Sequence, residues 1–310
     1  MRMSITFNTT TPDFLNPTTP SITPRRVVIV GAGVVGIATG HALLGLGHDV
    51  RFVDVNPATV CRLLNEGKAA SVKMPSPDGD SIIFICVPTP SNETGFDLTM
   101  LTDAVSSVGH SIARGTGSHI VAIRSTVAPG TTDRLVAGLL RSELDQSTAQ
   151  VVVANTPEFL REASAAHDAV CPTITVIGSR SVYAREELRE LFAPLGGEMR
   201  IFTDTTSSEL VKIVHNCFNA TKISFFNEMY KIADLFGIDG DAISEVVVRS
   251  AEASTNPDYG TRGGYPFSGH CLPKDLDGLI GFATNAGVST PLLEAVRTVN
   301  ESFTTVEVHA

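Results

Sequence analysis

Along the first two thirds of the chain, short apolar runs alternate with helical patterns; after that only helical patterns remain. Residues 26–30 (RVVIV) form a β-branched run that predicts a buried strand. A glycine-rich turn follows, then a helical pattern through residues 41–46 that Gly45 and Gly47 end. Residues 49–54 (DVRFVD) predict a second strand, closed by an acid. Further buried strands are expected at 81–87, 119–124, 151–154 and 173–178, the last of the series. Each is followed by a polar loop containing proline or glycine. From Thr205 the period changes to that of a helix, running without a break to Phe236 and stopped by Gly237. Such a helix of roughly thirty residues spans about 45 Å. Shorter helices are expected at 241–250, near 276–285 and at 291–303.

Strands alternating with helices predict an α/β fold: a Rossmann-type doubly wound parallel sheet over residues 25–203. An all-helical dimerisation and catalytic-cysteine domain is expected over 204–310. A helix as long and apolar as 205–236 is expected to pack in a homodimer core. Residues 1–24, rich in Thr and Pro, are read as a disordered tail.

The turn after the first strand is Gly31-Ala-Gly33-Val34-Val35-Gly36. A lone GxGxxG is weak evidence. Here it lies between a strand and a helix, with Asp54 eighteen residues after Gly36, which is the signature of a dinucleotide site. Gly31 allows the tight turn, Gly33 lets backbone N–H groups approach a pyrophosphate, and Gly36 lets the helix lie close to the sheet. Asp54 would accept from a ribose 2′-hydroxyl and repel a 2′-phosphate, favouring NAD. Arg51 keeps NADP open. Ligands of doubly wound sheets bind at the carboxyl ends of strands. Thr89, Thr126, Glu158 and Glu162, on successive strand ends, are therefore expected around the reactive end of the cofactor, although each alone would read as a turn former or helix cap.

Length and composition allow this picture and exclude others. The chain has 310 residues, 43% hydrophobic and 18% charged, enough for two domains with real cores. A net charge of −10 argues for small-molecule work in solution and against a nucleic-acid partner. Cys61, Cys86, Cys171, Cys217 and Cys271 are odd in number and form no CxxC pair, which fits a reducing, cytoplasmic setting without disulfides. No HExxH or cysteine cluster suggests a metal. Neither a signal peptide nor a run long enough to cross a bilayer is visible.

Two further groups carry chemistry. Residues 264–279 (GYPFSGHCLPKDLDGL) place Cys271 beside His270 and the Lys274-Asp275 pair, after glycines and before a helical run. Buried structural cysteines are common, but this setting reads as an exposed turn presenting a nucleophile. Lys212 and Asn216 are four apart on the long helix and share a face. A cation beside an amide can polarise an alcohol or hold an oxyanion. The plainer role, a solvated lysine, suits Lys222 and Lys231.

The pieces GAGVVG, ICVPTP, STVAPGTTDRL, PEFLRE, ELVKIVHN, ATKISFFNE, CLPKDLDGL and LLEAVRTVNE occur in an order and spacing that resembles the UDP-glucose/GDP-mannose dehydrogenase family over about residues 26–303. The resemblance implies an enzyme that uses NAD twice to oxidise a primary alcohol of a nucleotide sugar to a carboxylate. It implies Cys271 as the nucleophile that captures the aldehyde as a thiohemiacetal, later a thioester. Glu158 resembles the carboxylate that works through water, Lys212 and Asn216 the holders of the reacting oxygen, Asp275 an aid to proton transfer, and Thr126 an orienting group. Gly31, Gly33, Val34, Val35, Gly36, Asp54, Thr89, Thr126, Glu162 and Lys274 resemble cofactor contacts. Phe159, Leu160, Lys212, Asn216, Tyr265 and Phe267 resemble substrate contacts.

The departures concern substrate recognition. The resemblance predicts no counterpart, within these 310 residues, of the family's third domain, which helps bind the nucleotide. Residues 64–82 are short and lack an EPGL-type segment, and STNPDYGTRGG offers no match to the family's DxRIG-like stretch. The usual FGGSC reads Phe267-Ser268-Gly269-His270-Cys271, Thr156 and Ala163 replace Asn and Gly around PEFLRE, and a lysine expected in the second-strand loop falls near Thr59. A histidine before the cysteine is typical of the N-acetylhexosamine branch, and LPKD of the UDP-glucose and GDP-mannose branch. The expected activity is a four-electron, NAD-dependent oxidation of a nucleotide sugar, nucleoside or nucleotide by a homodimer. The alternatives are a two-electron β-hydroxyacid-type dehydrogenase and a catalytically silent NAD-binding subunit.

Overall fold

A computed structural model of the chain describes residues 23–92, 95–145, 147–250, 260, 265–269 and 271–303, with the side chains of Asn92 and Glu162 left out. The expected tail, His270 and most of the STNPDYGTRGG stretch lie outside the described residues. The chain divides into two compact units, Met1–Ile213 and Val214–Ala310.

The first unit is built on strands β1 (Arg26–Val30), β2 (Asp49–Val53), β3 (Ala69–Ser71), β4 (Ser81–Ile85), β7 (Ser118–Ile123), β8 (Gln150–Asn155), β9 (Ile174–Gly178) and β10 (Glu198–Phe202). They form one sheet in the order β10-β9-β8-β7-β4-β1-β2-β3. A small separate hairpin pairs β5 (Ser91–Asn92) with β6 (Gly95–Phe96). Neighbours from β3 to β8 run parallel, as do β9 and β10; the β8–β9 contact is antiparallel, at Asn155 and Gly178. The chain leaves β1 outward through β2 and β3, then returns to β4 on the other side of β1. That reversal opens a crevice at the carboxyl ends of β1 and β4.

Besides the small hairpin, two strands of the main sheet were not expected from the sequence. The strand at 173–178 is not the last: β10 follows it, an exposed strand whose Glu198 and Arg200 break any apolar pattern. β3 has three residues, too few to show a period.

Helices cover both faces, as strands buried on both sides require. Strand side chains alternate between the faces. On one face Ile29, Phe52 and Phe84 pack with Leu43 of α1 (Val34–Gly45) and Leu188 and Phe192 of α6 (Val182–Phe192). On the other, Ile83, Ile85, Val121 and Ile123 pack with Leu101, Val105 and Ile112 of α3 (Thr99–Ala113) and Leu140 of α4 (Ala137–Glu143). Burying each such side chain contributes about 1.5–3 kcal/mol. Two smaller helices, α2 (Pro57–Asn65) and α5 (Ala165–Val170), complete the unit.

Helix α7 (Thr205–Leu235, 31 residues) starts in the first unit and runs into the second. Asp204 caps it, accepting from the Ser207 N–H at 2.7 Å. Glu209, in the first turns of the helix, is buried and reaches away from it. Its carboxylate accepts the backbone N–H groups of Gly130 and of Thr132 (2.7 Å), fixing the loop after β7.

The second unit adds α8 (Gly240–Ser250), α9 (Cys271–Asn285) and α10 (Pro291–Ser302). Its buried residues include Ala233, Ile280, Ala283 and Leu293, and Phe236 stacks on Phe282 at 5.0 Å. The buried Glu228 of α7 accepts from the N–H groups of Leu292 (2.6 Å) and Leu293 (3.3 Å), capping α10. Helix α9 begins at Cys271, five residues before the expected start near Leu276. Pro273 lies in its first turn, where a missing N–H costs no hydrogen bond.

Candidate active site

The crevice between β1 and β4 opens into a cleft of about 750 Å³ within the first unit. Gly31, Gly33, Val34, Val35, Asp54, Thr89, Thr126 and Glu158 all line it, so most of the sequence-predicted cofactor contacts come together. The glycines differ in what demands them. Gly31 has φ +92, and a Cβ there would lie 2.7 Å from the Cys86 carbonyl oxygen. A Cβ on Gly36 would lie 1.9 Å from the Gly31 oxygen, so Gly36 stands behind the cleft and serves packing. A Cβ on Gly33 would meet no protein atom within 4 Å, and its φ of −76 suits any residue. Only something arriving from the cleft calls for glycine at 33.

Gly33 caps α1, whose first-turn N–H groups lack intrahelical acceptors and favour an anion. Asp54 braces this end: its Oδ2 accepts from the Ala32 N–H at 2.7 Å and its Oδ1 from the Asn56 N–H at 2.8 Å. Val55, Val72, Met100 and Ala104 supply apolar walls. An anion-binding helix start, a braced acid and an apolar slot fit a dinucleotide.

At the other end, hydrogen bonds lace the strand ends together. The Thr89 hydroxyl donates to the Thr126 carbonyl at 2.6 Å, and the Ser125 hydroxyl to the Val87 carbonyl at 2.6 Å. Beside them Glu158 and Lys212 form an ion pair at 3.0 Å, both side chains largely buried. Glu158 also accepts from the Leu160 N–H at 2.6 Å, and the Lys212 ammonium lies 5.5 Å from the centre of the Phe159 ring. Four sequence-predicted residues thus form one group, combining a proton acceptor with a cation.

Two cleft residues were not foreseen. Arg124, at the end of β7, donates to the Thr156 carbonyl at 3.1 Å and lies 5.6 Å from the centre of the Phe192 ring. Burial pulls its pKa down. Burial also pushes the Cys86 thiol up to about 12, leaving it inert at neutral pH. The one sequence signal for Arg124 was a charge closing an otherwise apolar run. The side chain of Glu162 lies outside those described.

The remaining predicted residues belong to the second unit. Cys271 is exposed and is the first residue of α9. Lys274 and Asp275 follow in the same turn, their charged groups 2.6 Å apart and solvent-exposed. Tyr265 is exposed and Phe267 half-buried. Asn300, another residue without an assigned role in the sequence, holds the approach to Cys271. Its Oδ1 accepts from the Phe267 N–H at 2.7 Å, and its Nδ2 donates to the Phe267 carbonyl at 3.2 Å. Asn216 is exposed, whereas Lys212 one turn earlier is buried; α7 passes from one unit to the other between them.

Residues 62–196 match the NAD binding domain of the UDP-glucose/GDP-mannose dehydrogenase family, and residues 206–302 match its central domain. The GDP-mannose 6-dehydrogenase of Pseudomonas savastanoi pv. phaseolicola is 31% identical over 301 residues, 89% of this chain and 68% of that protein. The UDP-glucose 6-dehydrogenase of Haloferax volcanii is 31% identical over 300 residues, 88% of this chain and 69% of that protein. A crystallised ternary complex of GDP-mannose dehydrogenase from Pseudomonas aeruginosa superposes with a TM-score of 0.80 at 29% identity, covering 90% of this chain and 68% of that one.

Proposed function

The chain belongs to the UDP-glucose/GDP-mannose dehydrogenase family and is an NAD-dependent oxidoreductase, and from that premise we propose that it carries a primary alcohol of a nucleotide sugar, nucleoside or nucleotide through to the carboxylate. The overall balance is alcohol, two NAD and one water to carboxylate, two NADH and three protons. NAD, when bound, supplies the hydride acceptor for both oxidations; Gly33, the start of α1 and Asp54 would hold it.

In the first oxidation the Lys212 ammonium holds the reacting oxygen with Asn216, and the hydroxyl proton leaves through water ordered by Glu158. The Cys271 sulfur then adds to the aldehyde carbon, giving a thiohemiacetal whose second oxidation leaves a thioester. Glu158 activates the water that cleaves the carbon–sulfur bond, releasing carboxylate and restoring the thiol. Asp275 aids proton transfer. Thr126 orients the cofactor end, Thr89, Glu162 and Lys274 contact the cofactor, and Phe159, Leu160, Tyr265 and Phe267 contact the substrate.

The observation that carries the two-step reading is Cys271, an exposed thiol at the first residue of a helix on a loop pinned by Asn300. The experiment is NADH yield per substrate consumed, across UDP- and GDP-sugars, nucleosides and nucleotides. Two NADH with a carboxylate product is expected, and Cys271→Ser should abolish the carboxylate. One NADH with an aldehyde or ketone product would move the chain to a two-electron reaction.

The assembly is proposed to be a homodimer built on α7. Val214, Phe218 and Ile223 expose 55%, 64% and 62% of their surface on that helix, much apolar area for a lone chain. A monomer in sedimentation at micromolar concentration would reject the dimer.

A further inference from the structure

The cleft wall holds a cation that the mechanism above does not use. Arg124 closes β7 on the cleft wall that also carries Cys86, Ser125, Thr126 and Glu158. Among the described residues its guanidinium has no carboxylate partner. Its hydrogen bond to protein goes to a neutral carbonyl, that of Thr156, and its Nε is buried without an acceptor. Arg124 is half-buried, and a cation drawn this far from water is normally paired, because desolvation costs more than a single neutral hydrogen bond returns. Phe192 offers only a ring. Glu158, whose field reaches Arg124, is already neutralised by Lys212 at 3.0 Å. Among the described side chains beside Thr126, Arg124 and Lys212 thus share the single carboxylate of Glu158.

We propose that Arg124 tunes the redox balance of the bound cofactor, its uncompensated positive charge disfavouring the pyridinium cation of NAD relative to the neutral ring of NADH. This rests on the reading that the nicotinamide end of NAD lies by Thr126 and Glu158. The reaction gains from the arrangement. Each oxidation moves a hydride, one proton and two electrons, from the alcohol or thiohemiacetal carbon to the cofactor ring, and the ring loses its positive charge. A fixed cation nearby makes that discharge more favourable. Burial sharpens the effect, since a charge in a partly desolvated cleft acts over about 10 Å with an energy worth roughly tenfold in an equilibrium constant.

The test separates charge from structure. Dissociation constants for NAD and NADH are measured by calorimetry on the full chain, wild type, Arg124→Met and Arg124→Lys, with folding checked by circular dichroism. Arg124→Met should bind NAD more tightly relative to NADH, shifting the ratio of the two constants by about tenfold, equivalent to about 30 mV for a two-electron couple. Arg124→Lys should keep the wild-type ratio. An equal change in both affinities would reduce Arg124 to a packing role and overturn the proposal.

A second measurement needs no variant. Benzamide adenine dinucleotide replaces the pyridinium with a neutral ring of the same shape, and wild-type protein should bind it about tenfold more tightly than NAD. Equal or weaker binding of the neutral analogue overturns the proposal. Wild-type protein that binds neither NAD nor NADH overturns the cofactor reading, and this proposal with it.

Discussion

Gly33→Ala is the sharpest probe of the cleft, because the structure separates its effect on folding from its effect on ligand. The new methyl meets no protein atom within 4 Å, and the backbone at 33 has φ −76. Alanine at such a position restricts the unfolded chain and stabilises by about 0.4–1 kcal/mol. The methyl nonetheless projects into the cleft beside the first-turn N–H groups of α1, where a pyrophosphate must approach closely. Displacing the phosphates by about the width of a methyl group lengthens those hydrogen bonds past useful range, and losing even one charge-assisted bond, about 1.5–3 kcal/mol, weakens binding at least tenfold. Gly36→Ala is the contrasting control. Its methyl would sit 1.9 Å from the Gly31 carbonyl oxygen, a backbone overlap that costs more than about 3 kcal/mol. Thermal melting and calorimetric titration with NAD read both variants. An unchanged or higher melting temperature with weakened NAD binding is expected for Gly33→Ala. Full NAD affinity in that variant would refute the placement of the pyrophosphate at this turn, and a large loss of stability would refute the open-space argument.

Three further expectations follow from buried groups. Burial raises the Cys86 thiol from 9.0 to about 12, so the folded chain retains a proton that the unfolded chain releases; stability should fall by up to about 1.4 kcal/mol per pH unit between those values. Denaturant titrations should show that slope, and Cys86→Ala should flatten it. In thiol labelling of the native protein near pH 8, Cys61, Cys171 and Cys271 should react while Cys86 waits for unfolding. Glu209→Ala leaves the Gly130 and Thr132 N–H groups buried and unpaired, at about 1–3 kcal/mol each, readable as a drop in the urea midpoint.

Much of this was legible in the chain. The β1–turn–α1–β2 unit announces itself because apolar run, glycine spacing and closing acid are all local. Elements and contacts that depend on distant neighbours were not. β10 has an exposed pattern with two charges, and only its pairing with β9 makes it a strand. The start of α9 was hidden because Pro273 and the Lys274-Asp275 pair read as a loop, although a helix tolerates proline in its first turn. Glu158 and Lys212 were both singled out for chemistry, yet nothing local says that side chains 54 positions apart meet at 3.0 Å. Arg124 and Asn300 gave fainter signals still, since their importance lies in what surrounds them.

The two buried glutamates of α7 have a bearing on modularity. The division between the compact units falls after Ile213, between Glu209, which secures the loop after β7, and Glu228, which secures the start of α10. Each half of the helix therefore carries its own fastener. A chimera spliced at that point, with either half taken from this chain, would keep that half's own fastener intact. The long helix gives protein engineering a natural seam.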